Sequence, residues 1–160
     1  MRVSFCIPTH DGNARCQNYL FDIFHALSQQ TNKDFNVWIS DHSESNKVLD
    51  ACKEYADLFE INYIKNTKKY GNISANTNHA LQHADGDILK VLFSDDFILT
   101  CNLVAELDKA FTDDVHWAVT GYAHTVDDGH THYNPKIPYH NDKLLEGVNT
   151  LSSPSILALK

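Results

Sequence analysis

The chain has 160 residues, 42% of them hydrophobic, which suits one domain with a real core and excludes general disorder. Its formal charge of −8, from 21 acids against 13 bases, excludes a broad nucleic-acid footprint, which needs a basic face to neutralise phosphates. A small phosphorylated ligand stays admissible, because a bound cation supplies positive charge locally.

The opening MRVSFCIPTH is a short apolar run broken at Pro8 with no cationic leader, so it reads as a first strand over Val3 to Ile7 and not as a signal peptide. Tyr19, Leu20, Ile23, Phe24 and Leu27 then recur at helical spacing. Phe35 to Ile39 reads as the second strand, ended by the polar group Ser40-Asp41-His42-Ser43. A second amphipathic helix follows with Val48, Leu49, Cys52, Tyr55, Ala56 and Phe59 inward, and Ile61 to Ile64 is a third strand. Gly71 opens the next unit, where Ile73, Thr77, Ala80, Leu81 and Ala84 share a helical face that Asp85-Gly86 terminates. Asp87 to Phe93 is the fourth and most apolar strand, expected to be buried on both sheet faces. Leu103 to Phe111 reads as a short helix and Val115 to His124 as a strand. Val126-Asp127-Asp128-Gly129 has the composition of a hairpin turn, with Thr131 to Tyr133 returning antiparallel. The tail from Asn141 shows no clear period, although Ser155 to Leu159 could form another strand or helix.

This alternation predicts an α/β fold with a mostly parallel central sheet and a C-terminal antiparallel hairpin, expected as one domain over 1–160. No apolar run approaches the roughly 20 residues of a membrane span. Cys6, Cys16, Cys52 and Cys101 lack CxxC spacing, so free thiols in a reducing cytoplasm are expected and not a disulfide framework.

Ligands of open parallel sheets bind beyond the carboxyl ends of the strands. Three such ends are polar here: Pro8-Thr9-His10-Asp11, Ser40-Asp41-His42-Ser43 and Ser94-Asp95-Asp96. Two adjacent carboxylates at a strand end repel each other unless a cation relieves them, and Mg²⁺ or Mn²⁺ typically takes one or two carboxylates together with phosphates. Asp95 and Asp96 are thus a candidate site for a divalent metal carrying a phosphorylated ligand. GxGxxG after the first strand, GxxxxGK[ST] and GxSxG are all absent, which disfavours dehydrogenase, P-loop and α/β-hydrolase readings. A nucleotidyltransferase would need a Gly-rich, basic triphosphate loop at the first strand end, and none is present.

Four motifs in register resemble family 2 glycosyltransferases over roughly the first hundred residues. Val3-Ser4-Phe5-Cys6-Ile7-Pro8-Thr9-His10 resembles their opening V-S-I-I-I-P-T-Y, and Val37-Trp38-Ile39-Ser40-Asp41-His42-Ser43 resembles V-V-D-D-G-S. Gly71 to Leu81, followed by Ala84-Asp85-Gly86-Asp87-Ile88, resembles their G-x-x-x-A-x-N-x-G-I…A-x-G-D-Y-I signature, and Ser94-Asp95-Asp96 falls at their DXD-type motif. The resemblance implies a GT-A, Rossmann-like three-layer sandwich. Residues 1–98 would bind the donor, and 99–160 would form an acceptor side that is either complete or continued beyond Lys160.

The implied activity is transfer of a sugar, of hexosyl type, from a UDP- or GDP-sugar to a saccharide or other hydroxyl acceptor, metal-dependent and inverting. Pro8, Thr9, Asp41 and Ser43 would line the nucleotide, with Asp41 on the base. Asp95 would lie near the ribose and sugar, and Asp96 would ligate Mn²⁺ or Mg²⁺. A cytoplasmic chain is expected, either free or at the membrane surface through its acceptor. Asn76 or Thr77 stands where many relatives carry arginine, so a phosphate contact would be either lost or moved to Lys68 or Lys69.

An inverting transferase needs a base for the acceptor's proton. No acidic motif supplies one; Asp127, Asp128 and Glu146 are the later acids, so the catalytic base is unassigned. The alternative is a GT-A domain that binds a nucleotide sugar without transferring it. His124, His130, His132 and His140 admit a zinc reading, with His130 and His132 on one strand face and His124 opposite, but no ligand spacing completes it.

Overall fold

The computed structural model describes residues 1–12, 15–67, 72–125, 132–133 and 153–160. In chain order these form β1 (Val3–Thr9), α1 (Cys16–Ser28), β2 (Phe35–Asp41), α2 (Lys47–Tyr55), β3 (Ile61–Lys65), α3 (Ile73–His83), β4 (Ile88–Val91), α4 (Leu103–Ala110), β5 (Trp117–Val119), β6 (His124–Thr125) and β7 (His132–Tyr133). A 3-10 turn at Pro154–Ile156 then leads into β8 (Leu157–Leu159). The sheet has six strands in the order β3-β2-β1-β4-β8-β5. Its first four members pair in parallel, and β8 runs antiparallel to both β4 and β5.

The two faces of this sheet are covered by different means. Because strand side chains alternate, Val3, Phe5 and Ile7 of β1 share one face with Val37 and Ile39 of β2. They meet Leu20, Ile23, Phe24 and Leu27 of α1, Val48 and Ala51 of α2, and Val104 and Leu107 of α4 in one apolar cluster. On the other face the contacts are polar. The Ser4 hydroxyl donates to Asn36 Oδ1 at 2.6 Å and accepts from the Gly86 N–H at 2.8 Å, while Asn36 Nδ2 donates to Asp85 Oδ1 at 2.7 Å. Helix α3 docks on this face through Asn76 and Ala80, its buried residues.

That docking corrects the expected apolar face of α3. Of Ile73, Thr77, Ala80, Leu81 and Ala84, only Ala80 is buried, and Ile73 is 55% exposed. The helix is rotated toward Asn76, one turn before Ala80, because polar groups of the sheet and not an apolar surface receive it. A second correction concerns length: β4 spans only Ile88–Val91, with Ile88, Lys90 and Val91 buried on its two faces as expected, while β1 is buried along its whole length. A third concerns Val115 to His124, which divides into β5 and β6. Between them the Thr120 N–H donates to Ile156 O at 2.9 Å and draws the chain toward β8.

The expected hairpin is present as β6 paired with β7, a small antiparallel sheet separate from the main one. Its register pairs His124 with Tyr133 and Thr125 with His132, so the two histidines are not cross-strand partners. The expected turn over Val126 to Gly129 lies outside the described residues, as do Lys68, Lys69, Gly71, His130, His140 and Glu146. Cys6, Cys16 and Cys52 are buried and free, as expected, and Cys101 is exposed. Burial pushes the Cys6 and Cys52 thiols up to about 12, which makes them inert as nucleophiles. Among the described residues no helix is long and apolar enough to cross a membrane.

Gly86 tests the polar face. A Cβ there would come within 2.6 Å of Ser4 Oγ, 2.8 Å of Ser4 N and 2.9 Å of Arg2 O. Two of these are backbone atoms on the approach to fully buried β1, which cannot yield. Gly86→Ala is therefore expected to destabilise the fold by about 1–3 kcal/mol, the range for overpacking, read as a lower urea midpoint at unchanged slope.

Candidate functional site

The parallel register brings the ends of β1 and β2 side by side, with Thr9 opposite Asp41 and Pro8 opposite Ser40. Asp41 is 0% exposed, and its carboxylate is ringed by donors. Oδ1 accepts from the Ser43 N–H at 2.8 Å and from the Thr9 hydroxyl at 3.3 Å. Oδ2 accepts from the Tyr63 hydroxyl at 2.6 Å and from Lys65 Nζ at 3.3 Å. Burial, followed by the hydrogen bond to this carboxylate, raises the Tyr63 phenol well above its ordinary pKa. Beside Asp41, the Ser43 hydroxyl is buried and has no hydrogen-bond partner among the described residues.

Behind this rim one amide fixes the backbone. Asn76 Nδ2 donates to the carbonyls of Thr9 and Ser40, each at 3.0 Å. Its Oδ1 accepts from the Ser40 hydroxyl at 2.6 Å and from Asn66 Nδ2 at 3.1 Å. Every hydrogen-bonding capacity of the side chain is used. Asn76 is thus a structural clamp, and its burial leaves none of its polar atoms for a phosphate.

The third strand end opens on a cavity of about 280 Å³. Asp95 and Asp96 line it with Lys90, Ile98, Leu103, Tyr122 and Ser153, so its walls come from both sides of position 98. Asp95 is exposed and accepts no hydrogen bond among the described residues. Asp96 Oδ2 accepts from the Ser153 hydroxyl at 3.0 Å, which leaves Oδ1 available. Lys90 is buried in the cavity wall and donates to the Ser155 carbonyl, while the Ser155 hydroxyl accepts from the Phe93 N–H at 2.8 Å. Burial pushes the Lys90 amine down to about 8, against the pull of Asp96.

This donor set fits a hard divalent cation that arrives with phosphates. Two carboxylates face one cavity, and among the described residues no third acid, histidine or cysteine joins them. Mg²⁺ or Mn²⁺ bound there would complete its shell from phosphate oxygens and water, the habit of these ions.

Of the residues singled out in the sequence, Pro8, Thr9, Asp41 and Ser43 form one buried group at the adjoining ends of β1 and β2. Asp95 and Asp96 belong to the separate cavity beyond β4. Four participants were not anticipated from sequence: Tyr63, Lys65, Lys90 and Ser153. Lys90 had a legible signal, a lone cation inside an otherwise apolar strand. Ser153 lies in a tail without periodicity and had none.

A strand order with β4 beside β1, an antiparallel extension at β8 and polar strand ends on one rim defines the GT-A class of nucleotide-sugar transferase folds. Solved structures agree at the level of the fold. A fragment of S. aureus TarS, residues 1–349, matches with a TM-score of 0.57 and 22% identity, covering 69% of this chain and 31% of that one. The same fragment in complex with UDP-GlcNAc gives 0.56 and 23%, covering 69% and 30%. The mannosyltransferase PcManGT from Pyrobaculum calidifontis, in complex with GDP-Man and Mn²⁺, gives 0.58 and 19%, covering 72% and 34%. The chain therefore spans about a third of each of these structures. No functionally curated protein matches it in sequence. The profile of Glycosyl transferase family 2 matches residues 4–156, and the chain belongs to that family.

Two outcomes follow from the geometry. Asn76→Ala removes four buried hydrogen bonds, while the Thr9 carbonyl keeps the His42 N–H, the Ser40 carbonyl keeps the Thr9 hydroxyl and the Ser40 hydroxyl keeps His79 Nδ1. A loss on the order of 3 kcal/mol, about 1 kcal/mol or less per bond, is therefore expected in urea unfolding. Lys90 has a folded pKa of about 8 against an ordinary 10.5, so the unfolded chain binds the extra proton between those values. Stability contributed through Lys90 therefore rises with pH across that window. Unfolding midpoints of wild type and Lys90→Met, compared at both ends of the window, are expected to converge as the pH is raised.

Proposed function

We propose that this chain carries the donor half of a glycosyltransferase, which moves a sugar from a nucleotide-diphosphate donor to an acceptor hydroxyl. The observation that carries the reading is the acid pair Asp95 and Asp96 facing one cavity at the end of β4 in a family 2 chain. The nucleotide is taken by Pro8, Thr9, Asp41 and Ser43. The unpartnered Ser43 hydroxyl supports this, since a buried hydroxyl without a partner is unfavourable until a ligand satisfies it. The base approaches Asp41 at Oδ2, where Lys65 is the most accessible of the four donors, with a side chain 38% exposed and a contact of 3.3 Å. A nucleobase N–H replaces that contact without disturbing Thr9 or Ser43.

Asp96 holds Mn²⁺ or Mg²⁺ through its available oxygen, and Asp95 faces the ribose and sugar. When bound, the cation would offset the negative charge that grows on the departing nucleoside diphosphate. Direct displacement by the acceptor hydroxyl inverts the anomeric centre and hands its proton to a base. A second reading, a domain that binds the nucleotide sugar without transferring it, is favoured by one observation: among the described residues the cavity lining holds no carboxylate or imidazole besides the metal pair. The relatives' titles name UDP-GlcNAc, UDP and GDP-Man, which makes UDP- and GDP-sugars the first candidates. Three buried free thiols support a reducing, cytoplasmic setting.

The test is a thermal-shift series of UDP, GDP, UDP-hexoses and GDP-mannose, each with and without Mn²⁺. A true ligand at 100 times its Kd adds about 2.7 kcal/mol of apparent stability. A Mn²⁺-dependent shift that Asp96→Ala abolishes is expected, and the absence of any nucleotide-dependent shift would sink the donor-site reading. Release of free UDP or GDP from a bound sugar nucleotide would then separate the transferase from the binding domain.

A further inference from the structure

A charged amine occupies a place in the core that an apolar side chain would fill. Lys90 shares a face of β4 with Ile88 and Leu92, both in the main apolar cluster, and pairs with Phe5 of β1 and Ala158 of β8. It is 2% exposed. Its ammonium has three donors, yet among the described residues the Ser155 carbonyl is its one hydrogen-bond acceptor. Asp96 attracts the charge without a hydrogen bond to it. A buried charge matched this incompletely is costly, and methionine or leucine in the same volume would be the more stable occupant.

The same side chain forms part of the wall of the acid cavity. Among its described lining residues Lys90, Asp95 and Asp96 are the charged ones, and the rest are neutral. Two carboxylates with one ammonium leave the cavity with one net negative charge. A divalent cation turns that into one net positive charge, which suits an anionic diphosphate; without Lys90 the sum would be zero. Lys90, being buried, acts in a less polar surrounding than a surface lysine, and a charge is felt more strongly there.

We propose that Lys90 is a diphosphate-binding residue, whose ammonium takes a phosphate oxygen of the nucleotide that Asp95 and Asp96 hold through a divalent cation. This rests on the donor-site reading above. The Ser155 carbonyl anchors the amine on one side, and the ligand satisfies donors that no other described residue takes. An adjacent phosphate also favours the protonated amine, which offsets the effect of burial once the ligand is in place. Lys90 then shares with the metal the charge that develops on the leaving nucleoside diphosphate. A purely structural role, fastening the segment around Ser155 to β4, accounts for the hydrogen bond but not for the charge, since a glutamine amide could donate the same bond.

That difference sets the experiment. Inorganic pyrophosphate, UDP, GDP, uridine and guanosine are titrated calorimetrically into wild type, Lys90→Gln and Lys90→Arg, with Mn²⁺ and again with EDTA. Lys90→Gln is expected to weaken the diphosphate ligands by about tenfold or more, the loss that accompanies a charged hydrogen bond. Binding of either nucleoside should be unaffected, and Lys90→Arg should restore most of the loss. Unchanged diphosphate affinity in Lys90→Gln, beside a wild type that binds UDP or GDP with Mn²⁺, overturns the role of Lys90 alone. A wild type that binds none of these ligands overturns the donor-site reading together with it. If Lys90→Gln does not fold, the wild-type protein decides through the ¹⁵N resonance of the Lys90 ammonium. Pyrophosphate with Mn²⁺ is expected to shift it, and an unmoved resonance in the ligand-bound protein overturns the proposal.

Discussion

The architecture of the rim depends on one side-chain amide. Asn76 bonds the last carbonyl of β1, the penultimate carbonyl of β2 and the residue that follows β3, so three parallel strands finish at positions fixed relative to one another. Backbone bonds from the His42 N–H to Thr9 O and from the Asn66 N–H to Asp41 O reinforce the same ends. The clamp also holds α3, whose buried surface besides Asn76 is a single alanine. A helix attached mainly by hydrogen bonds is directional where an apolar contact is not: it has one orientation in which all partners are met. The positions of Thr9, Asp41 and Ser43 follow from that orientation.

Where burial is apolar, the sequence was readable. The spacing of Leu20, Ile23, Phe24 and Leu27 in α1, and the compact runs of β1 and β2, reflect one-sided contact with the core and identify their elements directly. Helix α3 was read as a helix with the wrong face, because its periodic apolar residues are not those that touch the sheet. The insertion of β8 between β4 and β5 left no local trace, since Leu157 to Leu159 is too short to declare its partners. The polar strand ends were legible as interruptions of apolar runs, and Thr9 and Asp41 do adjoin. Tyr63 and Lys65 were not, because their reach to Asp41 depends on the register that sets Ile39 against Tyr63 and Asp41 against Lys65.

In a chain with eight excess negative charges, two cations stand beside carboxylates at the two candidate positions. They are matched differently. Lys65 is partly exposed and holds Asp41 at 3.3 Å, a contact that water and salt readily weaken. Lys90 is 2% exposed and stands in the wall of the acid cavity. One cation is exchangeable for a ligand group, while the other is fixed in advance of any ligand. Preorganised charge of the second kind is what electrostatic stabilisation of a leaving group requires.

The place of β8 also bears on how the chain reaches this state. β5 has no neighbour in the main sheet except β8, so it cannot join before Leu157–Leu159 arrive. Until then β4 presents an open edge, the kind of surface that invites pairing with other chains. During synthesis that edge must stay unpaired while the intervening residues emerge, and pairing of such long sequence separation is slow. Lys90 stands on this edge, opposite Ala158. Lysine on an open edge is one of the devices that discourage pairing with other strands, so the side chain that ends beside the acid pair also belongs to the strand whose edge β8 covers.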